Sequence, residues 1–105
     1  MKYVKQALEG ETLKAILDYL SIKRIFHWRN NSGALETKSG GFVRFGAVGS
    51  ADVFAIRGGV VYGIEVKSPV GRLSEDQIAF GNGFKEAGGM YVVARSLDDV
   101  MEILP

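Results

Sequence analysis

The first regular feature of the chain is a helix-type spacing of apolar residues. Leu13, Ile16, Leu17 and Leu20 are separated by intervals of three and four positions. Such intervals bring side chains onto one face of an α-helix. The pattern predicts an amphipathic helix over about residues 9–21.

Segments of strand-type composition follow this helix. Residues 24–29 are rich in apolar and aromatic side chains and lead into a turn-rich segment at residues 30–33. A short strand is expected near residues 42–45. Two longer apolar strands are expected over residues 52–57 and 60–67, where they would form the central hairpin of a sheet.

The last third of the chain predicts a helix, a strand and a second short helix. Ser74-Glu75-Asp76-Gln77 has the composition of a helix start, and Gly88-Gly89 that of a helix stop. Residues 90–94 form an apolar strand-type segment, and Ser96 opens the final helix. Because a crossover helix precedes residues 90–94, that strand should run parallel to an earlier one.

The expected order of elements, α-β-β-β-α-β-α, predicts an α/β fold with a mixed sheet flanked by helices. A chain of 105 residues has the size of one domain, so residues 1–105 are expected to form a single unit. Hydrophobic residues make up 47% of the chain and charged residues 24%, which argues against disorder.

Composition also excludes several classes of site. The chain has no cysteine, so disulfides, thiolate zinc sites and cysteine nucleophiles are excluded. No apolar segment approaches the ~20 residues that span a bilayer, and the N-terminus lacks the apolar region of a secretion signal. A cytoplasmic location with no membrane partner is therefore expected.

The charge of the chain is distributed unevenly. Residues 1–72 contain 11 of the 13 Lys and Arg residues and 6 acids, whereas residues 73–105 contain 2 basic and 6 acidic residues. This asymmetry can give one face a positive field that attracts a polyanion. An unevenly charged but merely solvated surface explains it equally well.

The Gly58-Gly59 dipeptide predicts a hairpin whose register pairs two carboxylates. A two-residue glycine loop favours a turn in which Arg57 pairs with Val60, and counting back sets Asp52 opposite Glu65. Directly opposed residues have Cβ atoms roughly 4.5–5.5 Å apart. Two like charges at that distance repel, and a divalent cation between them would reverse the sign of the interaction.

Lys67 extends this pair to a trio. It lies two residues beyond Glu65, so the two side chains leave the same face of the strand. Two carboxylates that hold Mg²⁺, with an ammonium that stabilises charge on phosphorus, suit hydrolysis of a phosphodiester. The alternative is that Asp52 caps the strand while Glu65 and Lys67 form surface ion pairs, since a D-x12-E-x-K pattern often occurs by chance.

Five segments of the chain together resemble the virus-type replication-repair nuclease (VRR-NUC) domain of the PD-(D/E)XK nuclease superfamily. The first three are Gly49-Ser50-Ala51-Asp52, Ile64-Glu65-Val66-Lys67-Ser68 and Gly71-Arg72-Leu73-Ser74-Glu75-Asp76-Gln77. The other two are Arg29-Asn30-Asn31-Ser32-Gly33 and Gly88-Gly89-Met90-Tyr91-Val92-Val93-Ala94. Ala51 stands where the superfamily signature has proline, so only the acid of that dipeptide is present.

The resemblance implies an α-β-β-β-α-β nuclease core that binds Mg²⁺ or Mn²⁺ and no small-molecule cofactor. Asp52 and Glu65 match the metal-ligating acids, the carbonyl of Val66 a main-chain ligand, and Lys67 the catalytic lysine. Free-standing domains of this type are similar to Holliday-junction resolvases, which implies a homodimer that acts on branched DNA in a bacterial or phage-infected cell.

Two further residues are candidates for the active site. The superfamily often adds a glutamate from the first helix; Glu9 shares the face of Leu13, whereas Glu11 lies about 200° from it. Both acids could instead complement the dipole of the helix N-terminus. Gln77 matches a glutamine near the family's active site, but it also stands three residues after Ser74, the spacing of a capping box.

Basic and amide side chains are candidates for phosphate contacts. Arginine offers a bidentate fork, and asparagine donates to phosphate oxygens. The candidates are Arg29, Asn30, Lys38, Arg44 and Arg72. Arg29, Asn30 and Arg72 are expected near the carboxylates and are preferred.

Three functions are compatible with these features. The first is a structure-specific endonuclease acting on four-way junctions. The second is a less selective or flap-type DNA nuclease with the same chemistry. The third is a non-catalytic DNA-binding or assembly module, which the complete trio of Asp52, Glu65 and Lys67 argues against.

Overall fold

The computed structural model describes residues 2–30, 33–45 and 47–105, with side chains described over residues 8–30, 37–41 and 47–105. The first helix, α1, extends over Lys2–Ile22 and therefore begins seven residues before the predicted start. Gly10 does not interrupt it, because one glycine costs a helix only about 1 kcal/mol relative to alanine. Glu9 and Glu11 thus lie inside the helix, and their expected role at its N-terminal dipole is wrong.

The helix ends in a left-handed cap. Arg24 has a φ of 56°, and the N–H of Ile25 donates to the carbonyl of Leu20 at 2.9 Å. This is the geometry of a Schellman cap, in which glycine is the usual residue. The strand predicted over residues 24–29 consequently starts later, as β1 at Phe26–Arg29.

The main sheet has four strands. They are β1, β4 (Val53–Arg57), β5 (Val60–Val66) and β6 (Met90–Ala94), in the order β1-β4-β5-β6. The first three are antiparallel and β6 runs parallel to β5, as predicted. The described residues thus form an α/β domain with a mixed sheet and three helices.

A second sheet lies outside this core. It pairs β2 (Gly33–Glu36) with β3 (Phe42–Phe45). The prediction of a strand at residues 42–45 is confirmed, but β2 was not predicted, because its Gly33-Ala34 start follows a turn-rich sequence. Asn31 and Ser32 of the predicted turn lie outside the described residues.

The second and third helices agree with the sequence. Helix α2 extends over Glu75–Glu86 with Ser74 as its N-cap, and it ends where Gly88 adopts a φ of 100°. Helix α3 extends over Leu97–Ile103. Within the described ranges, no helix is both long and apolar enough to cross a membrane.

The two faces of the main sheet are covered differently. One face packs against α1 and α3 in an aliphatic core. The buried members of this core are Ile16, Leu20, Ile25, Val53, Ala55, Ile64, Val66, Ala94, Val100 and Leu104. The other face packs against α2 through aromatic rings, among them Phe54 with Phe80 and Phe84. Strand alternation assigns Asp52 and Glu65 to this aromatic face.

Replacing a core residue tests this packing. Ile64 is 0% exposed, so Ile64→Ala should lower the free energy of unfolding by about 2–5 kcal/mol. Ile22→Ala is the matched control, because Ile22 is 80% exposed at the end of α1, and it should change stability by less than about 0.5 kcal/mol. Urea denaturation followed by circular dichroism measures both; equal losses would contradict the assigned core.

Candidate active site

The β4–β5 hairpin has the predicted loop and register over its paired residues. Arg57 pairs with Val60 and Val53 with Ile64, which confirms the two-residue loop at Gly58-Gly59. The ladder ends there: Asp52 precedes β4, and its N–H donates at 3.0 Å to the carbonyl of Ile64, the residue that already pairs with Val53. Asp52 therefore does not pair with Glu65 in the ladder, but the two side chains meet through a hydrogen bond and line one cavity.

The carboxylate of Asp52 is held against the main chain of β5. Its Oδ2 accepts a hydrogen bond from the Val66 N–H at 2.7 Å. The side chain of Val66 belongs to the core on the opposite face, so the peptide group of Val66 is the part that meets Asp52. This bond fixes one carboxylate oxygen, and the Asp52 side chain also forms a hydrogen bond with Glu65.

The loop before Asp52 is fixed by two contacts that explain its sequence. Gly49 has a φ of 77°, and a Cβ at this position would overlap the main chain of Asp76 in α2. Ser50 is buried and accepts a hydrogen bond from Asn30 Nδ2 at 2.8 Å. Gly49 and Ser50 therefore attach the start of β4 to both α2 and the end of β1.

A cavity of about 330 Å³ opens at this end of the sheet. Helix α1, the ends of β4 and β5, and the first turn of α2 all contribute to its lining. The lining residues are Glu9, Gly10, Leu13, Asp52, Glu65, Val66, Lys67 and Gln77. The structure thus brings together the five side chains expected at the active site, together with Val66, whose carbonyl was expected there.

Burial and charge act strongly on Glu65. Its side chain is only 2% exposed, and burial, hydrogen bonding with Asp52 and the charge of Asp52 raise its pKa to about 9, against the opposing effect of Lys67. Each of the first three causes penalises the ionised form. With a pKa of about 9, Glu65 therefore retains its proton at neutral pH when no cation is bound.

Of the two candidate acids of α1, Glu9 and not Glu11 lines the cavity. Glu9 Oε1 accepts a hydrogen bond from the Ser68 N–H at 3.1 Å, whereas Glu11 is exposed and does not line the cavity. Glu9 adds a further negative charge near Glu65. Its hydrogen bond also attaches α1 to the segment that follows Lys67.

Gln77 forms the expected capping box and also lies at the cavity. Its N–H donates to Ser74 Oγ at 3.2 Å, and its Oε1 accepts from the Ser74 N–H at 2.8 Å, so the capping box is present. The residue also lines the cavity. Since Oε1 is bonded to the cap, the amide NH₂ is the end that can donate to a ligand.

Arg95 is a residue that sequence reasoning missed. Its Nη1 donates to the carbonyls of Ser68 at 2.8 Å and Gly71 at 2.6 Å, and its own N–H donates to Asp99 Oδ2 at 2.8 Å. The guanidinium thereby fixes the loop that leaves the cavity after Lys67. No local sequence signal identifies such a contact between residues 24 and 27 positions apart.

Three buried polar atoms next to or near the site have no hydrogen-bond partner among the described residues. They are Glu65 Oε1, Ser68 Oγ and the hydroxyl of Tyr91. Burial and the charges of Glu65 and Asp52 raise the pKa of Tyr91 to about 12, so its hydroxyl stays protonated. Buried polar groups generally require a partner, so the free oxygen of Glu65 is available to accept a bond from a ligand.

The groups that could bind a cation here are the carboxylates of Asp52 and Glu65 and the main-chain carbonyl of Val66. Across the described ranges, no cluster of three or more Asp, Glu, His or Cys residues is arranged to hold a metal ion. Asp52 and Glu65 are hard oxygen donors of the type that Mg²⁺ prefers, and Mg²⁺ commonly binds through one or two carboxylates. The residues present therefore fit such an ion.

The proposed phosphate contacts differ in how the fold uses them. Arg29 is exposed and lines a surface pocket that shares Gly10 and Leu13 with the carboxylate cavity. Asn30 Nδ2 already donates to Ser50 and to the Ala51 carbonyl, so a phosphate contact would break one of these bonds. Arg72 is exposed directly after the loop bound by Arg95.

The two remaining candidates belong to the second sheet and its turn. Lys38 is exposed in the turn between β2 and β3. The side chain of Arg44 lies outside the described residues.

Comparison with known proteins does not assign the chain to a family. No protein-family model matches it, and no curated protein matches it with significant similarity. The VRR-NUC resemblance therefore stays a prediction that rests on the residues quoted above.

The raised pKa of Glu65 predicts a pH-dependent stability. An unfolded chain releases this proton near pH 4.5 and the folded chain near pH 9, so the folded state binds more protons between these values. Stability from this group is therefore complete below about pH 4.5 and is lost as the pH rises toward about 9. Glu65→Gln, which mimics the protonated acid, should remove this loss.

Thermal denaturation in metal-free buffer between about pH 5 and about pH 9 tests the prediction. The Tm of the parent protein should fall relative to that of Glu65→Gln as the pH rises. The exposed Glu11→Gln variant should follow the parent protein. If the Tm of the parent protein and that of Glu65→Gln changed equally with pH, the pKa of Glu65 in the folded protein would not be raised.

The contacts of Arg95 predict a second stability effect. Arg95→Met keeps much of the apolar stem but leaves the carbonyls of Ser68 and Gly71 without this donor. We expect the free energy of unfolding to fall by about 1–3 kcal/mol. Arg72→Met replaces an exposed arginine beside the same loop and should change it by less than about 0.5 kcal/mol. Urea denaturation compares them, and equal stabilities would contradict the role of Arg95.

Proposed function

We propose that this chain is a metal-dependent nuclease of the PD-(D/E)XK type that hydrolyses phosphodiester bonds in DNA. The observation that carries the proposal is the joint position of Asp52, Glu65 and Lys67 in one cavity, with Glu65 buried. Two opposed acids destabilise a hairpin unless a cation or a proton lies between them. Because burial of the two acids does not favour folding, their position is better explained by a function.

The residues that would hold Mg²⁺ or Mn²⁺ are Asp52, Glu65 and the carbonyl of Val66. Oε1 of Glu65 has no hydrogen-bond partner among the described residues and is the acceptor available to the ion. When bound, the ion would supply Lewis-acid polarisation of a phosphoryl oxygen and a more acidic water. The cation would also displace the proton that Glu65 otherwise retains.

The side chains around the carboxylates have separate tasks in this proposal. The ammonium of Lys67 stabilises the negative charge that develops on the phosphoryl group. The free amide NH₂ of Gln77 donates to a substrate or water oxygen. Glu9 acts through Ser68 and positions the segment after Lys67. Arg29 and Arg72 are the phosphate contacts that remain free to rotate toward DNA.

The substrate within this proposal is branched DNA, cut by a homodimer. A single site of this kind cuts one strand, whereas a four-way junction is resolved by two related cuts, which a two-fold symmetric dimer supplies. A less selective or flap-type nuclease would use the same residues without that symmetry. A non-catalytic DNA-binding module would gain nothing from the buried acids.

A cleavage assay with Mg²⁺ on a four-way junction, a flap and a linear duplex tests the proposal. The parent protein should cut the junction, and EDTA should stop the reaction. Glu65→Gln should lower the rate at least about a thousandfold, because the loss of a metal ligand removes several kcal/mol of transition-state stabilisation. Binding of the junction to this variant should persist.

Glu11→Gln is the matched control, since it removes one exposed acid from α1 and should leave cleavage unchanged. Lys67→Met should also lower the rate without unfolding the chain, because Lys67 is only half-buried. Full activity in EDTA, or cleavage by Glu65→Gln at the parent rate, would contradict the mechanism. Binding without any cleavage by the parent protein would favour the non-catalytic module.

A further inference from the structure

The aromatic face of the main sheet carries a continuous row of rings that reaches the surface. Adjacent rings lie 5.5–6.3 Å apart, from Phe26 and Trp28 on β1 through Phe54 to the rings of α2 and Tyr91 on β6. Phe26 is 69% exposed and Trp28 43% exposed, whereas Phe54 is half-buried beneath α2. The row thus passes from the interior to an open edge strand.

The exposed rings lie on the same face as the two carboxylates. Trp28 pairs with Phe54, and Asp52, two residues before Phe54, accepts a hydrogen bond at its carbonyl from the N–H of Asn30, two residues after Trp28. With a rise of ~3.3 Å per residue and ~4.8 Å between strands, the Cα atoms of Trp28 and Asp52 are roughly 8 Å apart. Phe26 lies two residues before Trp28, opposite Ile56, and is therefore farther from the site.

We propose that Phe26 and Trp28 form a stacking platform for unpaired nucleotides of a DNA substrate, directly beside the carboxylate cavity. The proposal rests on the proposed function and narrows its substrate class to DNA with unpaired bases next to the cleaved bond. Every base has a π-face, and aromatic side chains on a basic surface bind single strands through stacking without sequence preference.

The geometry of Trp28 suits this role. Its indole lies 5.5 Å from Phe54 with only 31° between the ring planes, so Phe54 supports one side of the ring. The Phe26 ring stands nearly perpendicular to it, at 72° and 6.1 Å. A supported, partly open indole loses little conformational entropy when a base stacks on it.

The exposed area favours a small planar occupant over a protein. Aromatic side chains bury about 150–250 Å² each, so at 69% and 43% exposure the two rings offer roughly 200 Å². A stable protein interface needs about 800 Å² from each partner. One or two stacked bases, by contrast, match the two rings in size.

Arg24 supplies a phosphate contact next to the platform. It stands two residues before Phe26, is exposed, and adopts the left-handed conformation at φ 56°, where glycine would be less strained. The helix cap itself requires only the main chain of this residue. A strained non-glycine residue is more often found at functional sites than elsewhere, and a guanidinium here would meet the backbone of a strand stacked on Phe26.

The only tryptophan of the chain is Trp28, so its fluorescence reports directly on the platform. In EDTA, which prevents cleavage, titration with an oligothymidylate of about 12 nucleotides should quench the emission, and a blunt duplex of equal length should not. Phe26→Ala should weaken binding of the oligothymidylate about tenfold and leave duplex binding unchanged. Met101→Ala, which shortens a side chain 41% exposed on α3, is the control without effect.

Arg24→Gly separates binding from folding. Because glycine fits the left-handed position, the Tm should equal or exceed that of the parent protein. The affinity for the oligothymidylate should fall, and the slope of log K against log salt should become shallower by about 0.7, as expected for one lost phosphate contact on a single strand. An unchanged slope would exclude Arg24 from the platform.

The outcomes distinguish this inference from the proposed function. Equal affinities of the parent and Phe26→Ala for the oligothymidylate would overturn the platform, even if Mg²⁺-dependent cleavage of a duplex persisted. If sedimentation showed that Phe26→Ala converts a dimer into a monomer without weakening single-strand binding, the rings would form a self-association surface and the inference would fail. Loss of all DNA binding by the parent protein would overturn both proposals.

Discussion

The hydrogen bond from the Val66 N–H to Asp52 Oδ2 ties the candidate site to the sheet. It holds the Asp52 carboxylate directly before β4, where the side chain also forms a hydrogen bond with Glu65. The position of Asp52 is fixed by the ladder from Val53 to Arg57 and by the hydrogen bond from its N–H to the Ile64 carbonyl. The other groups of the cavity, from α1, α2 and the loop after Lys67, are arranged around this pair.

Two side chains from different elements form hydrogen bonds with the main chain of Ser68, next to the site. Glu9 binds the Ser68 N–H from α1, and Arg95 binds the Ser68 carbonyl from the end of β6. The peptide groups on either side of Ser68 are thus fixed by two charged side chains. Because such bonds are stronger than those between neutral groups, the segment that leaves Lys67 is held without a regular secondary structure of its own.

Much of this arrangement could be predicted because it depends on short-range rules. The Gly58-Gly59 loop determines the hairpin register, Ser74 and Gly88 determine the ends of α2, and the crossover helix determines that β6 is parallel. The early start of α1 was missed because the helix formers before Gly10 outweigh one glycine. Arg95 could not be predicted, since its contacts arise only after β6 and the 68–71 loop have met.

The face of Glu65 could be predicted from strand alternation, but its environment could not. Its burial depends on α1 and α2 covering the end of the sheet, and that depends on packing across the whole domain. The same holds for Tyr91, which reaches the electrostatic field of the carboxylates only because β6 lies beside β5. Sequence therefore identified the chemical groups, and tertiary structure determined their protonation.

The two faces of β5 have different surroundings. Ile64 and Val66 lie in the aliphatic core, and Glu65 lies in the cavity on the other face. A shift of one residue in the hairpin would exchange these faces along the whole strand. It would bury a carboxylate among aliphatic side chains and expose isoleucine in the cavity. The length of the Gly58-Gly59 loop therefore determines both whether the core can pack and whether the carboxylate reaches the cavity. A hairpin in the wrong register would lose both, so it cannot persist as a stable but inactive form.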